Sequence, residues 1–178
     1  MVITVPLSDF YKMGNKDSIN EFEESLLRFK CQYGCAELDS FLHNRALEFD
    51  KRKLCKTYLV VEQEPFCIIG YYSVGIKAVE LGDISKSQRA KMTSGDRGAT
   101  HIAAFILAHI AKDLDCGKQL PKGEILKRAL GTIKEAQNIV GGRLIYLDCR
   151  KELVQYYLDG GFEVFHETDK KVQMVMAI

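Results

Sequence analysis

No run of apolar residues in this 178-residue chain approaches the roughly 20 that a membrane-crossing helix needs, so no span is expected. The opening MVITVPLSDFYK carries acidic and polar residues where a signal peptide places its apolar segment, and the expected location is cytoplasmic. An excess of one charge is equally lacking. With 25 Lys and Arg against 24 Asp and Glu the net charge is +1, so no global field draws nucleic acid, and any RNA contact has to rest on a local patch. A metal-ligand cluster is missing too. The six cysteines (Cys31, Cys35, Cys55, Cys67, Cys116 and Cys149) are dispersed, and CQYGC has no second pair at matching spacing. His43, His101, His109 and His166 do not complete it, which leaves a zinc centre without its ligands. All six cysteines are expected to be reduced thiols, with Cys55, Cys67 and Cys149 acting as small buried hydrophobes. Without an internal repeat, low-complexity segment or linker, residues 1–178 read as a single domain.

What is present is an ordinary globular composition, 47% hydrophobic and 28% charged. VITVPL reads as a strand with Pro6 at an edge or strand end, and the charged stretch from there to Lys30 has no resolved period. In AELDSFLHNRALEFD, Leu38, Phe41, Leu42, Arg45, Ala46 and Phe49 recur at helical spacing, predicting one helix that buries its Leu38, Phe41, Leu42 and Phe49 stripe. KTYLVVEQEPFCIIGYYSV holds two β-rich runs about EQEP, a hairpin. Residues 82–101 form the one long loop, with a helical turn at SKSQRAKM. IAAFILAHIA follows as a buried strand, and Ile125, Leu126, Ala129, Leu130, Ile133, Ala136, Ile139 and Val140 mark a helix of about four turns. GGRLIYLDC returns as a strand, KELVQYYLDGG as a short helix stopped by glycines, and FEVFHE and KVQMVMAI close the chain as strands. That order gives an α+β domain with a strand–helix–strand crossover.

Within AKDLDCGKQLPKGEILKRAL a glycine-containing polar loop runs straight into the long helix. A helix start offers unsatisfied N–H groups and a partial positive charge, so such a loop suits an anion, with Lys118, Gln119, Leu120, Lys122 and Gly123 around it. A plain strand-to-helix connection has the same local appearance. Three segments taken together, HIAKD at 109–113, KQLPKG at 118–123 and YYLDGGF at 156–162, resemble the GNAT superfamily of acetyl-CoA-dependent N-acyltransferases. In KQLPKG, Lys118 stands where that family has Gln or Arg, and Pro121 replaces its first glycine, removing one N–H donor. The segment FKCQYGCAELDSFLHNRALEFDKRKLCKTYLVVE followed by IIGYYSV is similar to the branch that includes acetyltransferase toxins of toxin–antitoxin systems, so the resemblance runs from about Phe29 to the end.

The resemblance implies a GNAT-like, mixed and mostly antiparallel twisted sheet flanked by helices, with acetyl-CoA as cosubstrate and no metal. It implies main-chain pairing of the pantetheine chain along Ile110, Ala111 and Lys112, and pyrophosphate contacts from Lys118, Gln119, Leu120, Lys122, Gly123 and Glu124. The Ile110 N–H is the group expected to polarise the thioester carbonyl. Tyr157 matches the family's general acid, a phenol that stays protonated at neutral pH, while Tyr156 reads as a packing residue. His109 is read either as a proton relay through water or as a core histidine, Arg150 either as a cofactor contact or as a solvent-facing residue, and His43 and His166 as solvated surface groups. The expected acceptor is a primary amine on a small molecule, a protein or an aminoacyl-tRNA. In the last case Lys86, Arg89, Lys91 and Arg97 of the long loop would meet RNA phosphates. A homodimer or an antitoxin are the partners such a toxin implies. A non-catalytic CoA-binding or protein-binding module on the same fold is the alternative, which Pro121 permits.

Overall fold

The structure, a computed structural model, describes residues 1–13, 16–82 and 86–178. Its elements are β1 (Val2–Pro6), α1 (Leu7–Met13), α2 (Lys16–Arg28), α3 (Ala36–Asn44), α4 (Ala46–Lys51), β2 (Lys56–Gln63), β3 (Phe66–Glu80), α5 (Lys86–Met92), β4 (His101–Lys112), α6 (Glu124–Val140), β5 (Leu144–Cys149), α7 (Val154–Asp159), β6 (Glu163–Glu167) and β7 (Val172–Ala177). The strands are ordered β1-β2-β3-β4-β5-β7-β6. The β4–α6–β5 connection is the expected crossover, with β4 and β5 parallel through Phe105↔Ile145 and Ile106↔Tyr146. The chain resolves into two compact units, residues 1–74 with 108–129 and residues 75–107 with 130–178.

In the first unit, β1 pairs antiparallel with β2 from Val2↔Glu62 to Pro6↔Tyr58. The β2–β3 hairpin carries a register shift at Val60/Val61. Alternation along these strands sends Leu59, Val61 and Tyr71 to one face, where they bury against Phe22 and Leu26 of α2, Phe29, and Phe41 and Leu42 of α3. Tyr71, wholly buried, keeps its hydroxyl satisfied by donating to the Leu38 carbonyl at 2.8 Å. Gly70 is required by packing: a Cβ there would stand 2.4 Å from Ile125 Cδ1 and 2.6 Å from the Ala111 carbonyl oxygen. The single helix expected over the AELDSFLHNRALEFD stretch is instead two, because Arg45 leaves the helical region at φ −129°. Its guanidinium then lies 4.9 Å above the Phe49 ring.

The second unit is built on β5, β6 and β7, antiparallel from Leu144↔Ala177 to Cys149↔Val172 and from Glu163↔Val175 to Glu167↔Val172. Val79, Ala104, Leu144, Tyr146 and Val175 form its core on one face, with Met92 of α5 and Phe165 packed against them. The stripe read along α6 ends early, since Ile139 is 83% and Val140 67% exposed. Gly82 and residues 86–101 are tied to one another by hydrogen bonds. Arg89 donates to the carbonyls of Ala99 and Gly82, the latter at 2.7 Å, and Asp96 accepts from the Gly98 and Ala99 N–H groups.

Two further sequence expectations are corrected. Cys67 and Cys116 are joined as a disulfide with Cα atoms 6.3 Å apart, a separation such bridges span, so the six cysteines are not all thiols. The two cysteines lie 49 residues apart, on β3 and in the loop after β4, so no local pattern pairs them. His43 is not merely solvated: it is part-buried, with Nε2 3.1 Å from the Phe29 carbonyl oxygen.

Candidate active site

The candidate residues divide between the two units. In the first, β4 delivers His109, Ile110, Ala111 and Lys112 to the loop that precedes α6. Asp113 organises this loop. Its carboxylate, 6% exposed, accepts from the Lys30 N–H at 3.0 Å through Oδ2, and from the N–H groups of Asp115 at 2.9 Å and Cys116 at 2.8 Å through Oδ1. Three N–H donors converging on one carboxylate replace the solvation it loses on burial. The turn thus held runs into a 3₁₀ segment, Cys116–Gln119.

Lys112 reaches across the loop and donates from Nζ to the Leu120 carbonyl at 2.7 Å. Its stem runs over Gly117, where a Cβ would meet Lys112 Cγ at 2.6 Å, so glycine is the residue that admits the crossing. Lys118 pairs with Asp115 at 3.1 Å on the surface, and the side chain of Gln119 lies outside the described residues. Lys122 is exposed. Gly123 takes φ +84°, the left-handed region in which an L side chain is strained, and its carbonyl accepts the first α-helical bond from the Lys127 N–H at 2.9 Å. The N–H groups of the first turn of α6 therefore begin here, without intrahelical partners. Glu124 in that turn is held by Arg128 at 3.0 Å, and Arg128 reaches Thr4 Oγ1 at 3.0 Å, which ties the helix start to β1.

His109 stacks on Phe41 with ring centroids 3.6 Å apart and interplanar angle 15°. Its Nδ1 is buried without a partner among the described residues. Burial, assisted by the charge of Arg45, lowers its pKa to about 4, so the imidazole is neutral at physiological pH.

In the second unit Tyr157 sits on α7, 5% exposed, edge-on to Tyr156 at 5.0 Å and to Phe162 at 5.8 Å. The chain turns directly after it. The Tyr157 carbonyl accepts from the N–H groups of Gly160 and Phe162, both at 3.0 Å, so the Gly-Gly-Phe segment fixes the helix that carries the phenol. Burial, then Tyr156 and Cys149, push its pKa well above the ordinary phenol value. Arg150 is exposed and pairs with Glu152 at 3.3 Å. The long-loop cations differ in what they can offer: Arg89 is engaged with carbonyls and Lys91 with Glu163 at 3.1 Å, whereas Lys86 and Arg97 are exposed.

Sequence reading overlooked Asp113. An aspartate directly after a strand, accepting from N–H groups two and three residues further on, is the pattern by which such side chains cap their own backbone, and an aspartate ahead of a glycine-containing loop is its signal in sequence. Among the described residues no group of three or more His, Cys, Asp or Glu is placed to hold a metal ion, and no helix is long and apolar enough to cross a membrane.

No protein-family model and no curated protein matches the chain. Solved structures do. AtaT complexed with acetyl-methionyl-tRNAfMet is 19% identical with a TM-score of 0.73, the match covering 97% of this chain and 94% of that one. A tyrosine-to-phenylalanine mutant of the AtaT toxin, bound to the C-terminus of the antitoxin AtaR and acetyl-CoA, is 17% identical with a TM-score of 0.70 over 99% and 92%. A tyrosine-to-phenylalanine mutant of KacT is 18% identical with a TM-score of 0.74 over 97% and 93%. Identities this low over nearly the full length of both chains speak for architecture, and the chain has the GNAT fold that these proteins share.

Proposed function

We propose that this protein is an N-acetyltransferase that moves the acetyl group of acetyl-CoA to a primary amine by direct attack, and that the amine is the α-amine of an aminoacyl-tRNA. The observation that carries the reading is the loop from Asp113 to Gly123, pre-shaped by part-buried hydrogen bonds to the Asp113 carboxylate at the start of a 17-residue helix. A loop already ordered does not have to be ordered by its anion, so its N–H groups and the helix start can bind a pyrophosphate at lower entropic cost. The acceptor is argued from likeness: AtaT, whose fold this chain shares, is known with acetyl-methionyl-tRNAfMet. An antitoxin partner, as AtaR is for AtaT, belongs to the same proposal.

In the proposed reaction the amine lone pair attacks the thioester carbon, and the carbonyl oxygen gathers the charge that the Ile110 N–H stabilises. Collapse expels the CoA thiolate, which takes its proton from the Tyr157 hydroxyl. Burial keeps that phenol protonated throughout the working pH range. The proton that the attacking nitrogen loses leaves through water with His109, a weak base at pKa about 4, as relay, and the Tyr157 phenolate is reprotonated from solvent, so the step closes with amide and free CoA thiol. Ala111 and Lys112 extend the strand alongside the cofactor, and Lys118, Gln119, Leu120, Lys122, Gly123 and Glu124 surround its pyrophosphate, with Arg150 as a further phosphate contact.

Calorimetry with acetyl-CoA, followed by CoA release in the presence of charged tRNA, tests this. Saturable binding and acceptor-dependent release are expected. Binding without turnover on any amine would leave a CoA-binding module, consistent with the donor lost at Pro121, and absence of binding would overturn the proposal.

A further inference from the structure

The reaction above leaves the Cys67–Cys116 bridge without a role, yet the bridge sits on the loop that the reaction needs. Cys67 is on β3 and half-buried, whereas Cys116 opens the 3₁₀ segment Cys116–Gln119 and is exposed. Both ends belong to the first unit. Before the bridge, the loop is tied to β3 where the Asp113 N–H donates to the Ile69 carbonyl at 2.7 Å. Beyond it the loop is held by its own bonds: the Cys116 N–H donates to Asp113 Oδ1, the Leu120 N–H to the Gly117 carbonyl at 3.0 Å, and Lys112 Nζ to the Leu120 carbonyl. The bridge is the covalent tie between this segment and the sheet.

A cross-link of this kind removes conformations that an unlinked loop would have to give up on closing around an anion. It is also open to exchange. A thiolate breaks a disulfide by attacking one sulfur, so access to that sulfur decides whether the bond turns over, and Cys116 offers the exposed end.

We propose that the Cys67–Cys116 bridge is a thiol–disulfide switch on acetyl-CoA binding, with the bonded form holding the loop ready for the pyrophosphate and the reduced form binding it weakly. This rests on the acetyltransferase reading and adds a regulation to its cofactor loop. The reductant is a dithiol. One of its thiolates attacks Cys116 Sγ, the Cys116–Cys67 bond breaks, and the Cys67 thiolate leaves and is protonated by solvent. The second thiol of the reductant then attacks the mixed disulfide, which releases Cys116 as a thiol and the reductant as its own disulfide. Two electrons pass from reductant to bridge, and a disulfide reagent reverses the exchange.

The test starts from protein purified in air without reductant. Under denaturing conditions it should show four titratable thiols, those of Cys31, Cys35, Cys55 and Cys149, and all six after treatment with dithiothreitol. Calorimetry with acetyl-CoA should give a Kd roughly tenfold higher for the reduced protein, with a thermal melt of each form to show that both are folded. S-acetyl-pantetheine carries the same thioester without the pyrophosphate, so it should bind the two forms alike. Cys116→Ser and Cys67→Ser should each bind acetyl-CoA as the reduced parent does, with or without dithiothreitol. Six thiols in the untreated protein overturn the inference, as does the same acetyl-CoA Kd in both forms or an equal loss for the two ligands, and in each case the acetyltransferase reading stands. Absence of acetyl-CoA binding in both forms defeats both.

Discussion

At the scale of single residues, Tyr157 and His109 illustrate how burial sets what a titratable group can do. A buried phenol whose pKa is raised stays a donor, so kcat should show no loss from its ionisation as pH passes the ordinary phenol value near 10. Tyr157→Phe keeps the packing against Tyr156 and Phe162 and removes only the proton. Turnover should fall by about 10²-fold or more with little change in acetyl-CoA affinity, while Tyr156→Phe should stay near the parent. Equal turnover in Tyr157→Phe and parent would place the acid elsewhere. His109 bears on stability. In the unfolded chain it titrates near 6.5, whereas in the fold it holds off protonation to about 4. Below pH 6.5 the unfolded state therefore binds more protons, and the stability present above that pH is lost as pH falls toward 4, by up to about 3 kcal/mol. Chemical denaturation of parent and His109→Phe between pH 7 and 4 checks this, since the variant should lack that share of the slope. Matching slopes would mean that the imidazole is not shielded.

At the scale of elements, the unit that matters is β4, its loop and α6, and here residue type and structure agree only in part. The alternation and periodicity that define strand and helix are local properties, so both were legible, as were the glycines that end α7. What organises the loop between them is not local. Asp113 draws a donor from Lys30, 83 residues away in sequence, and Cys116 meets Cys67 across 49 residues. The break at Arg45 is similarly silent, for no proline or glycine marks it, and α1 and α2 were hidden because α2 buries only Phe22 and Leu26 in a charged stretch. The organising role of Asp113 can be tested directly. Asp113→Ala leaves three N–H groups without their acceptor and should lower stability by about 3 kcal/mol. If the loop holds the pyrophosphate, the Kd for acetyl-CoA should also rise roughly tenfold, through disorder of the N–H groups that receive it. Calorimetry beside a thermal melt measures both. A lower melting temperature with unchanged Kd would reduce Asp113 to a structural residue and move the cofactor away from this loop.

At the scale of the whole molecule, the near-balance of charge decides how a polyanionic acceptor could be recognised. With a net charge of +1 there is no overall attraction to RNA. Of the four long-loop cations suited by sequence to phosphates, Arg89 is bound to the Gly82 and Ala99 carbonyls and Lys91 faces Glu163, which leaves Lys86 and Arg97 exposed. Two phosphate contacts to single-stranded RNA predict a shallow salt dependence, with log(kcat/KM) for charged tRNA falling against log[salt] at a slope of about −1.5. Lys86→Gln and Arg97→Gln together should flatten that slope toward zero. Arg89→Gln should instead lower the melting temperature, because its bonds hold the loop and not the ligand. A small amine acceptor should show almost no slope with either protein. A steep slope that survives the double substitution would locate the RNA on another surface, and a flat slope in the parent would argue for an acceptor without phosphates. Both outcomes leave the proposed cofactor role of the loop before α6 untouched, so the measurement separates the choice of acceptor from the proposed transfer itself.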